Sequence, residues 1–389
     1  MKPYEQFVAN MLRAARATQK DPMAATAIIQ DALKSAGLLR TPSPEADAAA
    51  REEPDFVDVN PVPPWSRKPA APQQEGAPQS APQSAPMPNW AEQLKAFHPG
   101  HAKAPEQRDP RREPGQFLHG VFGAAAGSRR YRLYVPAKPA SGPRPLVVML
   151  HGCKQDPADF AAGTTMNALA EEHGCLVLYP EQPHSANASG CWNWFEAPHQ
   201  RRDQGEPAIL AGMTREILRE HGGDAGRVYV AGLSAGGAMA AILGATYPDL
   251  YAAVGVHSGL AAGCAHDLMS GLNAMKGAHL KKARGAHPVR ALPVIVFHGD
   301  ADAVVSPSNG DAVYHQFTRG VKLAEAREQG NGWTRTVARD DAGRTRAEYW
   351  RLQGAGHTWS GGSTDGSYAV AAGPNASAEM LRFFLEHER

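Results

Sequence analysis

Residues 228–241 read VYVAGLSAGGAMAA, and this stretch predicts the fold of the chain around it. The apolar run 228–231 indicates a buried strand, and the small residues that follow the turn indicate a helix. Ser234 lies between them, with Gly232 and Gly236 where a Cβ would obstruct the close approach of helix to strand. G-x-S-x-G can arise by chance in a chain with 39 glycines, but the strand before it and the helix after it favour a serine nucleophile. The pattern therefore predicts a hydrolase.

The composition limits the partners that we expect for this chain of 389 residues. It has 40 basic and 39 acidic residues, so its formal net charge of +1 gives no overall field for nucleic acid or an anionic membrane. No apolar run approaches the roughly 18 residues that span a bilayer, so we expect no transmembrane segment. Glu5, Arg13 and Arg16 lie where a secretory signal has its apolar block, which predicts a cytoplasmic protein.

The first 114 residues differ in character from the rest. Apolar side chains at helical spacing over residues 3–38, interrupted by an N-cap at Asp21-Pro22, predict a helical hairpin within residues 1–40. This hairpin either binds a granule surface or protein partner, or packs on the chain's own enzyme domain. Residues 41–114 contain 16 of the 32 prolines and few apolar side chains, which predicts a linker without a folded core.

From residue 115 onward, short apolar runs alternate with helical stretches. This alternation predicts one α/β domain, residues 115–389, in which a mostly parallel sheet carries helices on both faces. Several runs are apolar throughout, as in strands that are buried on both faces. The predicted strands are 131–135, 145–150, 175–179, 228–231, 252–256, 293–297 and 347–351. The predicted helices are 164–173, 207–221, 236–246, 309–318 and 375–386.

A serine nucleophile needs a base to take its proton and a carboxylate to hold that base in the right tautomer. In α/β-hydrolase folds the three residues follow in the order serine, acid, histidine, and the last two lie on loops after later strands. The loop after the sixth predicted strand reads HGDADAVV, and GAGHTW follows the seventh. We therefore expect Asp302 to be the acid and His357 the base. Asp300 is the alternative acid, and His298 is expected to be structural.

The oxyanion of an acyl-transfer intermediate needs donors, usually the amide after the nucleophile and one amide from the loop after an early strand. Ala235 provides the first amide. The second is assigned to Cys153, because LHGCKQ, residues 150–155, follows an apolar strand. The Cys153 thiol either pairs with Cys191 and clamps two loops together, or stays reduced, as the cytoplasm favours. The four cysteines form no C-x-x-C pair, so we expect no metal site.

The strings LHGCKQ, GCWNWF, GEPA, AGLSAGGAMA, HGDAD and GAGHTWSGG occur in this order. In this combination the chain resembles the esterase family of polyhydroxybutyrate depolymerases with the type 1 catalytic domain, over roughly residues 115–389. The resemblance implies an α/β-hydrolase that cleaves short-chain poly(3-hydroxyalkanoate) or related acyl esters with Ser234, Asp302 and His357, without a metal or organic cofactor. Many members of this family are extracellular, which is the alternative to the cytoplasmic location.

Alternatives to this interpretation concern the substrate and the role of the domain. Trp192, Trp194 and Trp359 are candidates for an apolar substrate crevice, Trp359 above all because it lies two residues after His357, and the alternative is that they fill the core. Related catalytic domains share these loops, so a feruloyl or acetylxylan-type carbohydrate esterase is the alternative enzyme. A particle-binding scaffold protein with a passive hydrolase domain is the alternative of another class, and residues 3–38 would then be its operative part.

Overall fold

The computed structural model describes residues 114–278 and 292–389, which all lie in one compact unit, residues 102–389. The predicted hairpin, residues 1–40, and all but the last residue of the predicted linker, 41–114, lie outside the described residues and stay predictions. Within the described ranges, no helix is long and apolar enough to cross a bilayer.

Ten strands of the described residues form one mixed sheet. They are β1 (Gln116–Ala124), β2 (Gly127–Val135), β3 (Arg144–Leu150), β4 (Leu176–Pro180), β5 (Gly223–Leu233), β6 (Ala253–His257), β7 (Val294–Gly299), β8 (Ala324–Gly330), β9 (Trp333–Arg339) and β10 (Thr345–Leu352). Their spatial order is β1-β2-β4-β3-β5-β6-β7-β10-β9-β8. The pairings from β4 through β10 are parallel, and those at both ends of the sheet are antiparallel.

Helices cover both faces of this sheet. They are α1 (Pro157–Thr164), α2 (Met166–His173), α3 (Gly205–Glu220), α4 (Ala235–Thr246), α5 (Leu268–Met275), α6 (Ser308–Thr318) and α7 (Ala376–Leu385). Because successive strand residues point to opposite faces, Val148 and Val230 pack in one core with α3, α4 and α6. Val147 and Tyr229 pack in the other core with α1, α2 and α7. The predicted α/β fold class is thereby confirmed.

The sequence prediction missed the outer strands. β8 is exposed along its whole length, and β1 buries only Phe122, so neither shows the alternation by which a strand is recognised. Backbone pairing with β9 and β2 holds them in the sheet instead. The predicted helix 164–173 is interrupted at Thr165, whose φ of 54° separates α1 from α2.

Candidate active site

The loops that carry the candidate residues begin at one edge of the sheet. Parallel pairing aligns the strand ends, with Leu150 of β3 opposite Gly232 of β5, and Leu233 of β5 opposite His257 of β6. Farther along the sheet, Gly299 of β7 lies opposite Leu352 of β10. Because ligands of open α/β sheets bind at the carboxyl ends of the strands, this edge is the candidate active site.

Ser234 occupies a strained turn between β5 and α4. Its φ of 57° and ψ of −119° lie where L-residues are rarely found, and its amide donates to the His257 carbonyl at 2.9 Å. A Cβ on Gly236 would lie 2.0 Å from the Leu150 carbonyl oxygen, and one on Gly232 would lie 2.4 Å from the Gly236 carbonyl carbon. The two glycines therefore allow the close packing of β3, β5 and α4 that leaves Ser234 half-buried at the tip of the turn.

His357 is paired with Asp302. Its Nδ1 lies 2.7 Å from Asp302 Oδ2, while Asp302 Oδ1 accepts from the amides of Val304 at 2.9 Å and Val305 at 2.8 Å. Burial raises the pKa of Asp302, but hydrogen bonds from His298, His357 and the Val305 amide outweigh it and hold that pKa below its usual range. An ionised Asp302 keeps the proton of neutral His357 on Nδ1 and leaves Nε2 free to act as a base.

The other polar residues of the Asp302 loop have separate roles. His298 is buried, with Nε2 at 2.9 Å from the Val305 carbonyl oxygen and 3.5 Å from Asp302 Oδ2, so it braces the loop from beneath. Asp300 is exposed, and its Oδ1 accepts from the Gly354 amide at 2.7 Å. The structure therefore pairs Asp302 rather than Asp300 with the histidine.

The loop after β3 lies against the nucleophile turn, and one of its backbone amides has no acceptor among the described residues. A Cβ on Gly152 would lie 3.6 Å from the Ser234 Cβ. The Gly152 amide donates to Gln155 Oε1 at 3.0 Å, and the Lys154 amide donates to a carbonyl oxygen at 2.9 Å. Among the described residues, the Cys153 amide between them has no acceptor. It is therefore free to donate to a substrate oxygen.

The first residue of α4 provides a second free amide. Ala235 directly follows Ser234, and the first amides of an α-helix have no acceptor within the helix. The positive end of the helix dipole lies at the same place, which favours negative charge on a bound oxygen. The amides of Cys153 and Ala235, which the sequence predicts as oxyanion donors, are thus both available to a bound oxygen.

A disulfide joins Cys153 to Cys191 and connects the loop after β3 to the GCWNWF loop. Trp192 in that loop donates its indole N–H to the His151 carbonyl oxygen at 3.1 Å. His151 accepts the Gln182 amide on Nε2 at 3.1 Å, and burial lowers the pKa of His151, so its ring is neutral. Covalent and hydrogen bonds together fix the position of the Cys153 backbone.

His257, which no sequence motif identified, connects the serine turn to the histidine loop. Its carbonyl accepts the Ser234 amide, and its Nε2 accepts the Ser360 amide at 3.2 Å, three residues after His357. The ring stacks between Phe297 and a tryptophan ring, and burial lowers the pKa of His257 to about 3, so it stays neutral. Its place at the end of the strand next to the serine turn is the signal that could have identified it.

The prediction that three tryptophans line a substrate crevice is corrected, because all three side chains are buried. Trp192 and Trp359 are 0% and 1% exposed and Trp194 is 5% exposed, so none offers a surface to a substrate. Trp359 donates its indole N–H to Ser377 Oγ at 3.0 Å and packs edge-on against Phe160. These side chains fill the core beneath the site, which was the alternative interpretation of their pattern.

Comparisons with known proteins identify the family of the chain. Residues 129–348 match the family described as Esterase PHB depolymerase. The chain is 32% identical over 250 residues to poly(3-hydroxyalkanoate) depolymerase C of Paucimonas lemoignei, an alignment that covers 61% of this chain and 60% of that protein. It is 29% identical to feruloyl esterase B of Thermothelomyces thermophilus, over 61% of this chain and 86% of that protein.

A solved structure with the same fold is the acetyl xylan esterase from Aspergillus awamori. It aligns with a TM-score of 0.56 at 22% identity and covers 66% of this chain and 94% of that one. The chain thus spans less than two thirds of the depolymerase that it matches, whereas the family match covers more than half of the chain itself. The chain therefore belongs to the family described as Esterase PHB depolymerase and has the α/β-hydrolase fold.

Proposed function

We propose that the chain is a serine esterase that hydrolyses short-chain poly(3-hydroxyalkanoate) esters or their oligomers, with Ser234, Asp302 and His357 as its catalytic triad. The observation that carries the proposal is the pairing of His357 with an ionised Asp302 at the sheet edge where the strained turn presents Ser234. This arrangement supplies the base and its orienting carboxylate for a hydroxyl that is a weak nucleophile alone.

In the proposed reaction, Ser234 Oγ attacks the ester carbonyl carbon while His357 Nε2 takes the hydroxyl proton. The negative oxygen of the tetrahedral intermediate accepts hydrogen bonds from the Cys153 and Ala235 amides. Collapse breaks the ester bond, and His357 returns the proton to the departing alkoxide, which leaves as the hydroxyl end of the shortened chain. Water then attacks the acyl-enzyme with His357 as base, and the acid product leaves Ser234 free.

The substrate is the finer part of the proposal. The similarity to poly(3-hydroxyalkanoate) depolymerase C supports the polyester as substrate. A feruloyl or acetylxylan-type esterase is the second candidate, because feruloyl esterase B is similar over 86% of its length.

Membership in a family of ester hydrolases argues against a scaffold with a passive domain. Granule or protein binding by residues 3–38 stays a prediction, because these residues lie outside the described ranges.

The cytoplasmic location is also a prediction from the N-terminal sequence. The Cys153–Cys191 disulfide supports the extracellular alternative, since disulfides persist mainly in oxidising compartments. Alkylation of the two thiols in freshly lysed producing cells, read by mass spectrometry, distinguishes these alternatives. Unmodified, bonded cysteines in the external fraction would support export, and alkylated cysteines in the cell fraction would support the cytoplasm.

One experiment tests both the chemistry and the substrate. Purified protein is incubated with amorphous hydroxybutyrate polymer, feruloylated xylan, acetylated xylan and a series of short p-nitrophenyl esters, with Ser234→Ala alongside. Release of hydroxybutyrate oligomers, abolished in Ser234→Ala, supports the proposal. Preferred release of ferulate or acetate selects the second candidate, and turnover that survives in Ser234→Ala refutes the triad.

A further inference from the structure

The GEPA motif carries a buried carboxylate for which the proposed reaction has no use. Glu206 is 0% exposed and lies in the first turn of α3, beside the GCWNWF loop. A buried carboxylate is costly unless hydrogen bonds compensate for its lost hydration, so the groups around it show what it does.

The Glu206 carboxylate accepts hydrogen bonds from Asn193 and Gln182. Oε2 accepts the Asn193 amide at 2.8 Å, and Oε1 accepts Asn193 Nδ2 at 2.8 Å and Gln182 Nε2 at 2.5 Å. Arg129 Nη2 lies 3.5 Å from Oε1 and compensates its charge. If a neutral amide replaced the carboxylate, an NH2 group would take the place of one oxygen. A hydrogen-bond donor would then face the donors of Asn193 or Gln182.

Gln182 connects Glu206 to the loop after β3, which contains Cys153. The side-chain amide that binds Glu206 also donates to the Cys191 carbonyl oxygen at 3.0 Å, and the Gln182 backbone amide donates to His151 Nε2 at 3.1 Å. Cys191 is joined to Cys153 by the disulfide. The Cys153 amide is therefore held from both sides, through His151 before it and through Cys191 across the disulfide.

From this network we infer that Glu206 is a positioning residue for the oxyanion hole. Its carboxylate fixes Gln182 and Asn193, and these fix the two loops that aim the Cys153 amide at the tetrahedral oxygen. Glu206 touches no reacting atom. The inference rests on the proposed function, because it assigns Cys153 the role of an oxyanion donor.

The test compares Glu206→Gln with the matched control Glu220→Gln, whose side chain is 48% exposed on the same helix and pairs with Arg219. On a soluble p-nitrophenyl ester, Glu206→Gln should lower kcat about tenfold to a hundredfold with KM changed by less than about twofold, because small displacements of a donor impair mainly the transition state. The control should match wild type in both constants.

A boronic acid inhibitor, which forms a tetrahedral adduct with the serine, provides the readout that a merely structural role would not change. Its affinity should fall by the same factor as kcat in folded Glu206→Gln, with active sites counted by titration. If Glu206→Gln does not fold, Gln182→Met removes the link from the other end and should show the same paired loss. Unchanged kcat and unchanged boronic acid affinity in either folded variant would overturn the inference.

Failure of this inference is distinguishable from failure of the proposed function. Ser234→Ala is assayed on the same soluble ester, and its inactivity establishes the serine mechanism whatever Glu206 does. Residual turnover in Ser234→Ala would refute the triad itself, and the Glu206 result would then lose its premise. The assay does not depend on whether the natural substrate is a polyester or a xylan ester.

Discussion

The His257 Nε2 accepts the Ser360 amide at 3.2 Å, so a neutral imidazole fixes the loop that carries His357. The backbone of the same residue holds the Ser234 amide. One strand end therefore positions the nucleophile and the base relative to each other, although neither residue is adjacent to it in the sequence.

His257→Phe keeps a ring between the aromatic neighbours but removes the acceptor of the Ser360 amide. We expect kcat to fall roughly tenfold, because the His357 loop loses its anchor and a buried amide is left unpaired. His257→Gln places an oxygen near the position of Nε2 and should recover much of the loss. Steady-state kinetics on a soluble ester measures both variants, and equal activity of the two would show that the acceptor does not matter.

Asp302→Asn should lower kcat by about 10⁴-fold while leaving the fold intact, because the amide favours the wrong tautomer of His357.

The same carboxylate stabilises the fold in a pH-dependent way. Its pKa is depressed in the folded protein, so its contribution is present above about pH 3.9, the value of an unfolded aspartate, and is lost as the pH falls through the folded value.

Urea unfolding of wild type and Asp302→Asn at pH 7, 5 and 3 measures this contribution. The difference in free energy of unfolding between the two proteins should shrink as the pH falls from 5 to 3, because Asp302 is then protonated in the unfolded chain but still ionised in the folded one. A difference that grows in acid would contradict the depressed pKa of Asp302.

Gly236→Ala tests the close packing that creates the serine turn. The added Cβ would meet the Leu150 carbonyl oxygen at 2.0 Å, which only a backbone shift can relieve. We expect the free energy of unfolding to fall by about 1 to 3 kcal/mol and ester turnover to be largely lost. Gly123→Ala is the control, because a Cβ there meets nothing within 4 Å. Full activity of Gly236→Ala would show that the turn tolerates a wider separation.

The Cys153–Cys191 disulfide closes a loop with a sequence separation of 38. Cys191→Ser should lower the free energy of unfolding by about 2 to 4 kcal/mol, and a reductant should shift the thermal transition of wild type but not of the variant. Cys264→Ser is the control for a lost thiol, since Cys264 is half-buried and takes no part in the disulfide. Identical transitions of reduced and oxidised wild type would argue against a stabilising bond.

Trp359→Ala should act on stability rather than on substrate choice. Truncation of a fully buried indole leaves a cavity and costs about 3 to 5 kcal/mol. Any loss of turnover per folded molecule should then be the same for hydroxybutyrate oligomers and for a p-nitrophenyl acetate. A higher KM for oligomers alone would restore Trp359 to the substrate crevice.

The sequence by itself determined the central fold and located the candidate chemistry. Apolar runs alternating with amphipathic stretches define β3 to β7 because burial on both faces leaves a continuous signal. Ser234, Asp302 and His357 were found because each follows such a strand in the order that serine hydrolysis requires. These are local patterns, and they need no knowledge of which loops meet.

Only the tertiary structure decided which groups touch. It joins Cys153 to Cys191 and places three tryptophans in the core, where the sequence had left alternatives open. Such choices depend on the register of parallel strands and on packing between distant segments, for which a periodic pattern carries no signal. The roles of the buried acceptors His257 and Glu206 were missed for the same reason: a polar residue shows its partners only after the chain has folded.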